Sequence, residues 1–463
     1  MRYSAAFIAI LASIPPTLGS RDVQRRGASA RISNANTPPV TVKGNAFFVG
    51  DKRFYIRGVD YQPGGDGAKK DPLASTTDCS RDVKYFKKLG INTIRVYAVD
   101  NSVNHDECMK LLADAGIYLA VDVNTPGYSL NRETWWSLKA SYNEVYMQSV
   151  FSTVEQFAKY DNTLLFFSAN EVVNAINSTF AAPYIKAVGR DIKQFMKARN
   201  LRAVPSGYSA ADVEENRFQM AQYLNCGGDD ERSDFFAFND YSWCAPSDFQ
   251  KSGWDKKVQQ YSSYPLPLFL SEYGCNTNKR DFGEVATLYS DKMTAVYSGG
   301  LSYEYSQGAN KYGLVQIDNS GSIEELPDLA VLAAAFKNTP MPSGPGGYKS
   351  DAKASNCPTA SNQWSVTNTS LPIMPKNAAQ YMTNGAGPGP GFNKDPKYPN
   401  GSQWAGTPTP GFGAVGASSS SSSGKSGNNT GGAKKSGGVV PSAPARVTWL
   451  ILASALGFAF RFL

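Results

Sequence analysis

Apolar and polar residues alternate in blocks between about residues 40 and 340 of the chain. Eight apolar runs have strand length and are rich in β-branched or aromatic residues, which indicates buried strands. The runs cover residues 54–61, 93–99, 117–123, 163–171, 202–208, 235–241, 266–273 and 300–305. Helical periodicity lies between most of them, for example at 78–89, 142–159 and 183–199. Eight alternations of strand and helix predict parallel strands that close into an α/β (β/α)8 barrel, a TIM barrel.

An open, doubly wound sheet is the structural alternative for the same alternation. Its usual fingerprint is a G-x-G-x-x-G sequence between the first strand and a helix. Here the first strand is followed by YQPGG at 61–65, which lacks that spacing and precedes no helical pattern. The closed barrel is therefore favoured.

Both ends of the 463-residue chain are apolar. Residues 1–19 have a basic start, an apolar middle and a small-residue end, the layout of a secretory signal peptide. Residues 447–463 form a second apolar run behind a small and polar stretch, which is typical of a GPI-attachment signal that is removed. A transmembrane helix is the alternative, but this run is shorter than the roughly 20 residues that span a bilayer, and Arg461 interrupts its end.

Between these ends we expect three segments: a leader at 20–39, the barrel domain at 40–357, and a low-complexity linker at 358–446. Pro, Gly, Ser and Asn dominate after Cys357. Such a composition buries too little apolar surface to offset the entropy of ordering, so residues 380–446 are predicted to form a disordered stalk. We expect a cell-surface protein, held on the outer leaflet of the plasma membrane through GPI or passed to a cell wall. Ser436 and Gly431 are the candidate attachment residues.

Six cysteines fit a chain that passes through the oxidising secretory route, where an even number usually forms disulfides. None has C-x-x-C spacing, and the residues alone leave the pairing open. Acceptor sequences for N-glycosylation occur at Asn177, Asn368, Asn400 and Asn428.

The net charge of +7 is spread along the chain, without the basic stripe that nucleic-acid binding requires. The single histidine, His105, lies in a polar helix-start segment and is predicted to be a surface residue. A Ser-His-Asp triad or a multi-histidine zinc site would have to be built around it. No metal, no other cofactor and no nucleic-acid partner is predicted.

Carboxylates at strand ends remain as candidates for chemistry, because the active site of a TIM barrel lies where the strands end. Glu171 and Glu272 each follow a strongly apolar strand, where an unused carboxylate is costly to bury. A pair of carboxylates is what cleavage of a glycosidic bond requires. A salt bridge or a capping role at the barrel rim is the alternative for either residue.

Five motifs, in order, make the region from about 40 to 357 recognisable. They are FYIRGVDYQPGG at 54–65, NTIRVY at 92–97, FFSANEV at 166–172, NDYSWC at 239–244 and FLSEYGC at 269–275. With them the chain resembles glycoside hydrolase family 72, the GPI-anchored fungal β-1,3-glucanosyltransferases of the Gas, Gel and Phr type. Many relatives carry a cysteine-rich carbohydrate-binding module, but no cysteine follows Cys357. The chain is therefore similar to the subfamily without that module.

The resemblance implies a retaining double displacement with Glu272 as the nucleophile and Glu171 as the acid/base. Glu171 would hold a proton at the working pH while Glu272 would be ionised. The implied donor-subsite residues are Tyr97, Asn170, Tyr241 and Tyr303, with Gln62 and Asp122 as further members. The implied disulfides are Cys79 with Cys108, Cys226 with Cys357, and Cys244 with Cys275.

The function that the resemblance implies is internal cleavage of a β-1,3-glucan and transfer of the new reducing end to the non-reducing end of another chain. Its partners would be donor and acceptor glucans, and a membrane only through the GPI lipid. An endo-β-1,3-glucanase and a non-catalytic glucan-binding wall protein are the alternatives.

Overall fold

Eight parallel strands form a closed barrel in a computed structural model of the chain, which describes residues 30–65, 69–351, 353–367 and 370–392. The barrel strands are β4 (Ile56–Asp60), β5 (Thr93–Val96), β6 (Tyr118–Asp122), β7 (Thr163–Asn170), β8 (Ser206–Ala211), β9 (Phe235–Asp240), β10 (Leu268–Tyr273) and β11 (Tyr297–Ser302). They lie in chain order, and β11 pairs with β4 to close the ring. The predicted (β/α)8 barrel is confirmed.

Two of these strands are displaced from their predicted positions. β8 begins at Ser206 rather than at 202, because Arg202 donates to the carbonyls of Tyr160 and Thr163 and Pro205 has no N–H to give a ladder. β11 begins at Tyr297 rather than at 300, because glycines hide its apolar pattern. Gly299 is required there: its φ is +90°, and a Cβ would lie 2.0 Å from the carbonyl oxygen of Ile56.

Helices cover the outside of the barrel. They are α1 (Thr76–Leu89), α2 (Asp106–Asp114), α3 (Trp135–Ser141), α4 (Glu144–Phe157), α5 (Ala182–Ala198), α6 (Arg217–Leu224), α7 (Trp254–Tyr261), α8 (Glu284–Leu288), α9 (Pro327–Asn338) and α10 (Ala379–Asn384), with 3-10 helices at Ile176–Ala181 and Lys376–Ala378. The predicted helices correspond to α1, α4 and α5. α1 starts after Ser75, whose hydroxyl caps the Asp78 amide at 3.2 Å, and ends at Gly90, which adopts a left-handed conformation.

A small antiparallel sheet, which we call the plug sheet, closes the end of the barrel at which the strands begin. It consists of β1 (Val40–Lys43), β2 (Ala46–Val49) and β3 (Lys52–Phe54), none of which the sequence pattern separated from the first barrel strand. Phe47 of β2 is fully buried, with its ring centroid 6.3 Å from that of Phe235 and 5.9 Å from that of Phe269. The opposite end, where the strands finish, is the one left for a site.

Three disulfides tie the elements together in the pairs that the resemblance implies. Cys79 of α1 is joined to Cys108 of α2, with the two Cα atoms 5.7 Å apart. Cys226 is joined to Cys357 and Cys244 to Cys275, at Cα separations of 5.1 and 5.0 Å. The last pair connects the loops that follow β9 and β10.

The chain continues over the barrel beyond residue 357. Trp364 is fully buried, with its ring centroid 5.5 Å from that of Tyr223. Further on, Ala386 is buried, and the amide of Gly391 donates to the side chain of Asn101 at 3.0 Å. The prediction of a disordered stalk is therefore wrong for residues 380–392, where α10 and the segment after it pack on α4 and α5.

Several predicted features lie outside the described residues: the signal peptide, the apolar tail, Ser436, Gly431, and the acceptors Asn368, Asn400 and Asn428. The chain divides into two units, residues 1–411 and 412–463, and the second lies wholly outside them. Within the described ranges no helix has the length and apolar character needed to cross a membrane. Asn177 is described, and it is exposed on the 3-10 helix at Ile176–Ala181.

We expect Phe47→Ala to lower the free energy of unfolding by about 3–5 kcal/mol, because it leaves a cavity among buried aromatic rings. Urea denaturation followed by tryptophan fluorescence measures the loss. The matched control is Ile373→Ala, since Ile373 is 89% exposed, and it should change the value by no more than about 0.5 kcal/mol. A similar small effect for both variants would contradict the role assigned to the plug sheet.

Candidate active site

The two predicted carboxylates lie where strands β7 and β10 end. Glu171 directly follows β7, and Glu272 is the fifth residue of β10. Each stands beside an irregularity in its ladder, between Phe167 and Asn170 in one and between Leu270 and Glu272 in the other. Such bulges re-aim side chains at the rims of barrels. Glu171 also has a φ of +48°, a conformation that few residues other than glycine adopt and that is concentrated at functional sites.

Glu272 is held by three donors from two other strand ends, those of β5 and β9. The Tyr97 hydroxyl donates to Oε1 at 2.7 Å and Nη1 of Arg95 approaches the same oxygen at 3.3 Å. The Tyr241 hydroxyl donates to Oε2 at 2.6 Å. Glu272 is 8% exposed. The three donors fix the position of its carboxyl, and one edge still faces the open end of the barrel.

Arg95 lies at the centre of this group and is fully buried. It donates to both oxygens of Asp122 at 3.0–3.3 Å and to Oδ1 of Asn170 at 3.1 Å. Its guanidinium carbon lies 4.2 Å from the ring centroid of Tyr97 and 4.4 Å from that of Phe167. A planar guanidinium packed between rings and bonded in its own plane has little freedom to move.

Burial raises the pKa of Glu272 to about 8. The positive charge of Arg95 and the two tyrosine hydroxyls act in the opposite direction, and the charge of Glu171 adds to the rise. Burial similarly raises the pKa of Asp122 to about 6 in spite of its ion pair with Arg95. The ionised form of Glu272 therefore depends on the three donors that contact it.

Asp60 was not singled out in the sequence. It ends β4 in register with Arg95, has no exposure, and neither carboxyl oxygen has a hydrogen-bond partner among the described residues. Burial raises the pKa of Asp60 well above its usual range, and the nearby charge of Glu272 adds to the rise. Burial therefore disfavours the ionised form of Asp60, which lies close to the nucleophile candidate.

Glu171 is connected to Glu272 through a short chain of amides. Nδ2 of Asn239 donates to Oε1 of Glu171 at 2.8 Å and lies 3.3 Å from Oδ1 of Asn170. Asn170 in turn accepts from Arg95, which contacts Glu272. The backbone of Glu171 is also held, since its carbonyl accepts from Arg132 at 2.6 Å. The two carboxyls thus belong to one hydrogen-bonded group.

Asn170 has a defined amide orientation. Its Oδ1 accepts from Arg95, from Asn239 and from the Ser209 hydroxyl, the last at 2.7 Å. Because the Arg95 guanidinium can only donate, exchanging the oxygen and nitrogen of the amide would set two donors against each other. The amide nitrogen is therefore the end that can donate to a ligand.

The predicted tyrosines surround Glu272. Ring centroids lie 6.5 Å apart for Tyr97 and Tyr303 and 6.2 Å apart for Tyr241 and Tyr303. Tyr312, which was not predicted, joins them at 5.2 Å from Tyr303 and 5.6 Å from Tyr241. Aromatic rings with hydroxyls offer both an apolar face and a hydrogen-bonding group.

Gln62 and Asp122 lie beneath this layer rather than within it. Gln62 has no exposure, and its Oε1 accepts from the backbone amides of Tyr97 and Ala98, both at 3.1 Å. Asp122 is 3% exposed and is occupied by Arg95. The structure therefore places both residues where they position Tyr97 and Arg95.

The prediction that His105 is a surface residue is wrong, because the segment before α2 docks against the loop at residue 71. His105 is 1% exposed, and its Nε2 lies 2.6 Å from Oδ2 of Asp71. It takes no part in the group around Glu272. Across the described residues, no cluster of three or more histidine, cysteine, aspartate or glutamate side chains could hold a metal ion.

Arg95, Asn239 and Arg132 are site residues that the sequence did not single out. Arg95 carried a usable signal, because a charge within an apolar barrel strand is costly to bury without a partner. Asn239 was visible only as a polar strand end. Arg132 lies in a loop, and its contact with the carbonyl of Glu171 depends on how that loop folds back.

Known proteins give a consistent comparison. The profile of glycoside hydrolase family 72, described as glucanosyltransferases, matches residues 29–340. The 1,3-beta-glucanosyltransferase gel1 of Aspergillus fumigatus is 57% identical over 393 residues, which are 85% of this chain and 84% of that protein. The 1,3-beta-glucanosyltransferase GAS5 of Saccharomyces cerevisiae is 50% identical over 365 residues, 78% of this chain and 74% of that one.

A solved structure extends the similarity to the fold. A mutant of Saccharomyces cerevisiae Gas2p in complex with laminaritetraose and laminaripentaose superimposes with a TM-score of 0.68. It is 34% identical, and the match covers 74% of this chain and 76% of that one. The profile match, these identities and the barrel with its paired strand-end glutamates show that the chain belongs to glycoside hydrolase family 72, the glucanosyltransferases.

Proposed function

We propose that this protein is a retaining β-1,3-glucan transglycosylase that cleaves one glucan internally and transfers the new reducing end to the non-reducing end of another. The observation that carries the proposal is the pair of strand-end glutamates, of which Glu272 accepts three donors and Glu171 is held beside it. The names of the relatives, 1,3-beta-glucanosyltransferases, and the laminari-oligosaccharides bound to Gas2p support the substrate class.

In the first step a carboxylate oxygen of Glu272 attacks the anomeric carbon, and the glycosidic C–O bond breaks. Oε1 already accepts from Tyr97 and Arg95, whereas Oε2 accepts only from Tyr241. A carboxylate oxygen has about two lone-pair sites, so Oε2 is the oxygen with room to form the new bond. Glu171 gives its proton to the departing oxygen, and the leaving chain diffuses away as an alcohol.

In the second step Glu171, now a carboxylate, takes the proton from the 3-hydroxyl of an acceptor glucan. The acceptor oxygen attacks the anomeric carbon and the bond to Glu272 breaks, which regenerates both carboxyls. Water in place of the acceptor gives hydrolysis by the same path. The balance between transfer and hydrolysis depends on how well the acceptor competes with water, and not on the carboxyl pair.

Tyr97, Tyr241 and Tyr303 would line the subsite of the reacting sugar, and their packing around Glu272 supports this role. The amide nitrogen of Asn170 would donate to the 2-hydroxyl of that sugar, a hydrogen bond that strengthens in the transition state. Burial of Asp60 disfavours a further negative charge near Glu272. No cofactor is needed for this chemistry.

The protein would work on β-1,3-glucan, as the names of its relatives suggest, and its place would be the cell surface. A GPI anchor would hold it on the outer leaflet, with the signals at 1–19 and 447–463 as the sequence support. The three disulfides agree with passage through an oxidising compartment. Exposure of Asn177 supports its use as a glycosylation site.

Products longer than the substrate should appear when the enzyme is incubated with a reduced laminari-oligosaccharide of single length, as measured by mass spectrometry. Glu272→Gln and Glu171→Gln should each lower the rate about 10³-fold or more. The control is Glu215→Gln at an exposed position, which should keep the wild-type rate. If every product is shorter than the substrate, the protein is an endo-glucanase and not a transferase. Unchanged rates in both variants would exclude catalysis by this pair.

Tyr241→Phe should move the acidic limb of the pH profile of kcat/KM to higher pH by about one unit. The variant removes a donor to the charged form of Glu272, so the pKa of Glu272 rises further and activity is lost at a higher pH as the solution is acidified. Tyr118→Phe is the matched control, because it removes a hydroxyl bonded to the Pro38 carbonyl near the start of β6. A limb that stays in place, or moves to lower pH, would contradict the contact between Tyr241 and Glu272.

A further inference from the structure

Two neighbouring tryptophans are exposed at the start of α3, the first helix after β6. Trp135 is 46% exposed and Trp136 is 52% exposed, and their ring centroids lie 4.8 Å apart in an edge-to-face arrangement. The other tryptophans in the described part of the chain, Trp243, Trp254 and Trp364, are buried. Exposing two large aromatic side chains together leaves a sizeable apolar area in water, which commonly marks a binding groove.

The two rings stand on an ordered support. α3 begins after Thr134, whose side chain exchanges capping hydrogen bonds with Ser137. α3 is anchored by the buried Leu138 and by Ser141, whose hydroxyl accepts from the Asn131 amide at 2.8 Å. The backbone that carries the tryptophans is therefore ordered before any ligand arrives, which lowers the entropy cost of binding.

The segment that carries the two tryptophans lies next to Glu171. Arg132, three residues before Trp135, donates to the Glu171 carbonyl at 2.6 Å. Three residues of chain reach at most about 11 Å, so Trp135 lies within that distance of Arg132. α3 also packs against the 3-10 helix at Ile176–Ala181, which follows Glu171 closely in the chain. The aromatic pair therefore borders the cleft on the side of Glu171.

The rings around Glu272 come from a different part of the rim. Tyr97, Tyr241 and Tyr303 follow β5, β9 and β11, and they would face the sugar that becomes attached to the nucleophile. Glu171 acts on the oxygen that joins this sugar first to the leaving chain and then to the acceptor. A glucan that continues past Glu171 is therefore the leaving chain in the first step and the acceptor in the second.

We propose that Trp135 and Trp136 form a stacking platform for glucosyl units of the β-1,3-glucan on the acceptor side of Glu171. The apolar face of a glucose ring can lie on an indole, while its hydroxyls stay in water around the rim. This inference rests on the proposed transglycosylase function, and it adds where the acceptor binds. By holding the acceptor, the platform favours transfer over hydrolysis.

The test measures how the glycosyl-enzyme is partitioned between acceptor and water. A donor that is the β-fluoride of a laminari-oligosaccharide has a leaving group too small to reach the platform, so the first step is independent of it. Fluoride release measures that step, and chromatography of a labelled laminari-oligosaccharide acceptor measures transfer. We expect Trp135→Ala/Trp136→Ala to lower the ratio of transfer to hydrolysis by roughly tenfold, while fluoride release stays within about twofold.

Matched variants distinguish stacking from a structural effect. Trp135→Tyr/Trp136→Tyr keeps aromatic faces and should restore most of the ratio, whereas Ile373→Ala removes exposed apolar surface elsewhere and should leave it unchanged. Thermal unfolding of each variant checks that the fold is intact. An unchanged ratio in the double alanine variant would overturn the platform and leave the transglycosylase proposal standing. Absence of transfer in the wild type would overturn that proposal itself.

A glycan at Asn177 is the other occupant that this surface could have, because Asn177 follows Ile176 on the helix that packs against α3. The same partition is therefore measured in Asn177→Gln and in the combined variant. If the platform binds acceptor, the tryptophan substitutions lower the ratio in both backgrounds. If they lower it only when Asn177 is intact, the rings pack against the attached glycan and the proposal is wrong.

Discussion

The buried guanidinium of Arg95 is the constraint on which the rest of the site depends. A fully buried cation is costly unless it is paired, and Arg95 is satisfied by Asp122, Asn170 and Glu272 together. Burial alone would keep Glu272 protonated. The nucleophile is therefore available because a positive charge stands behind it and two tyrosine hydroxyls contact it. Asp122 then serves to keep that charge in one orientation.

The two ends of the barrel differ because each buries a different kind of side chain. At one end the plug sheet and rings such as Phe47 and Phe269 fill the interior with apolar contacts. At the other end the interior is filled by carboxyls, amides and hydroxyls that stabilise one another only in this arrangement. Asp60 is the exception, as a buried acid without a hydrogen-bond partner among the described residues. Groups of this kind lower stability and are retained where function requires them.

The sequence predicted the barrel well because eight buried strands leave eight apolar runs, and it found Glu171 and Glu272 because a carboxylate after such a run is conspicuous. It misplaced β8 and β11 because Pro205 and the glycines before Leu301 break the apolar signal. It missed the plug sheet, whose strands are short and join the first barrel strand without a clear break. It also missed the packing of residues 380–392 and the burial of His105. Both depend on contacts between distant segments, which local composition does not record.

The account is tested most directly by trapping the covalent intermediate. A laminari-oligosaccharyl β-fluoride with fluorine in place of the 2-hydroxyl should form the glycosyl-enzyme and then release it slowly. Both steps lose the transition-state hydrogen bond to that hydroxyl, but the good leaving group fluoride keeps the first step fast. After proteolysis, mass spectrometry should find the added sugar on the peptide that contains Glu272. A label on Glu171, or turnover of this donor without any covalent adduct, would contradict the assignment of the two carboxyls.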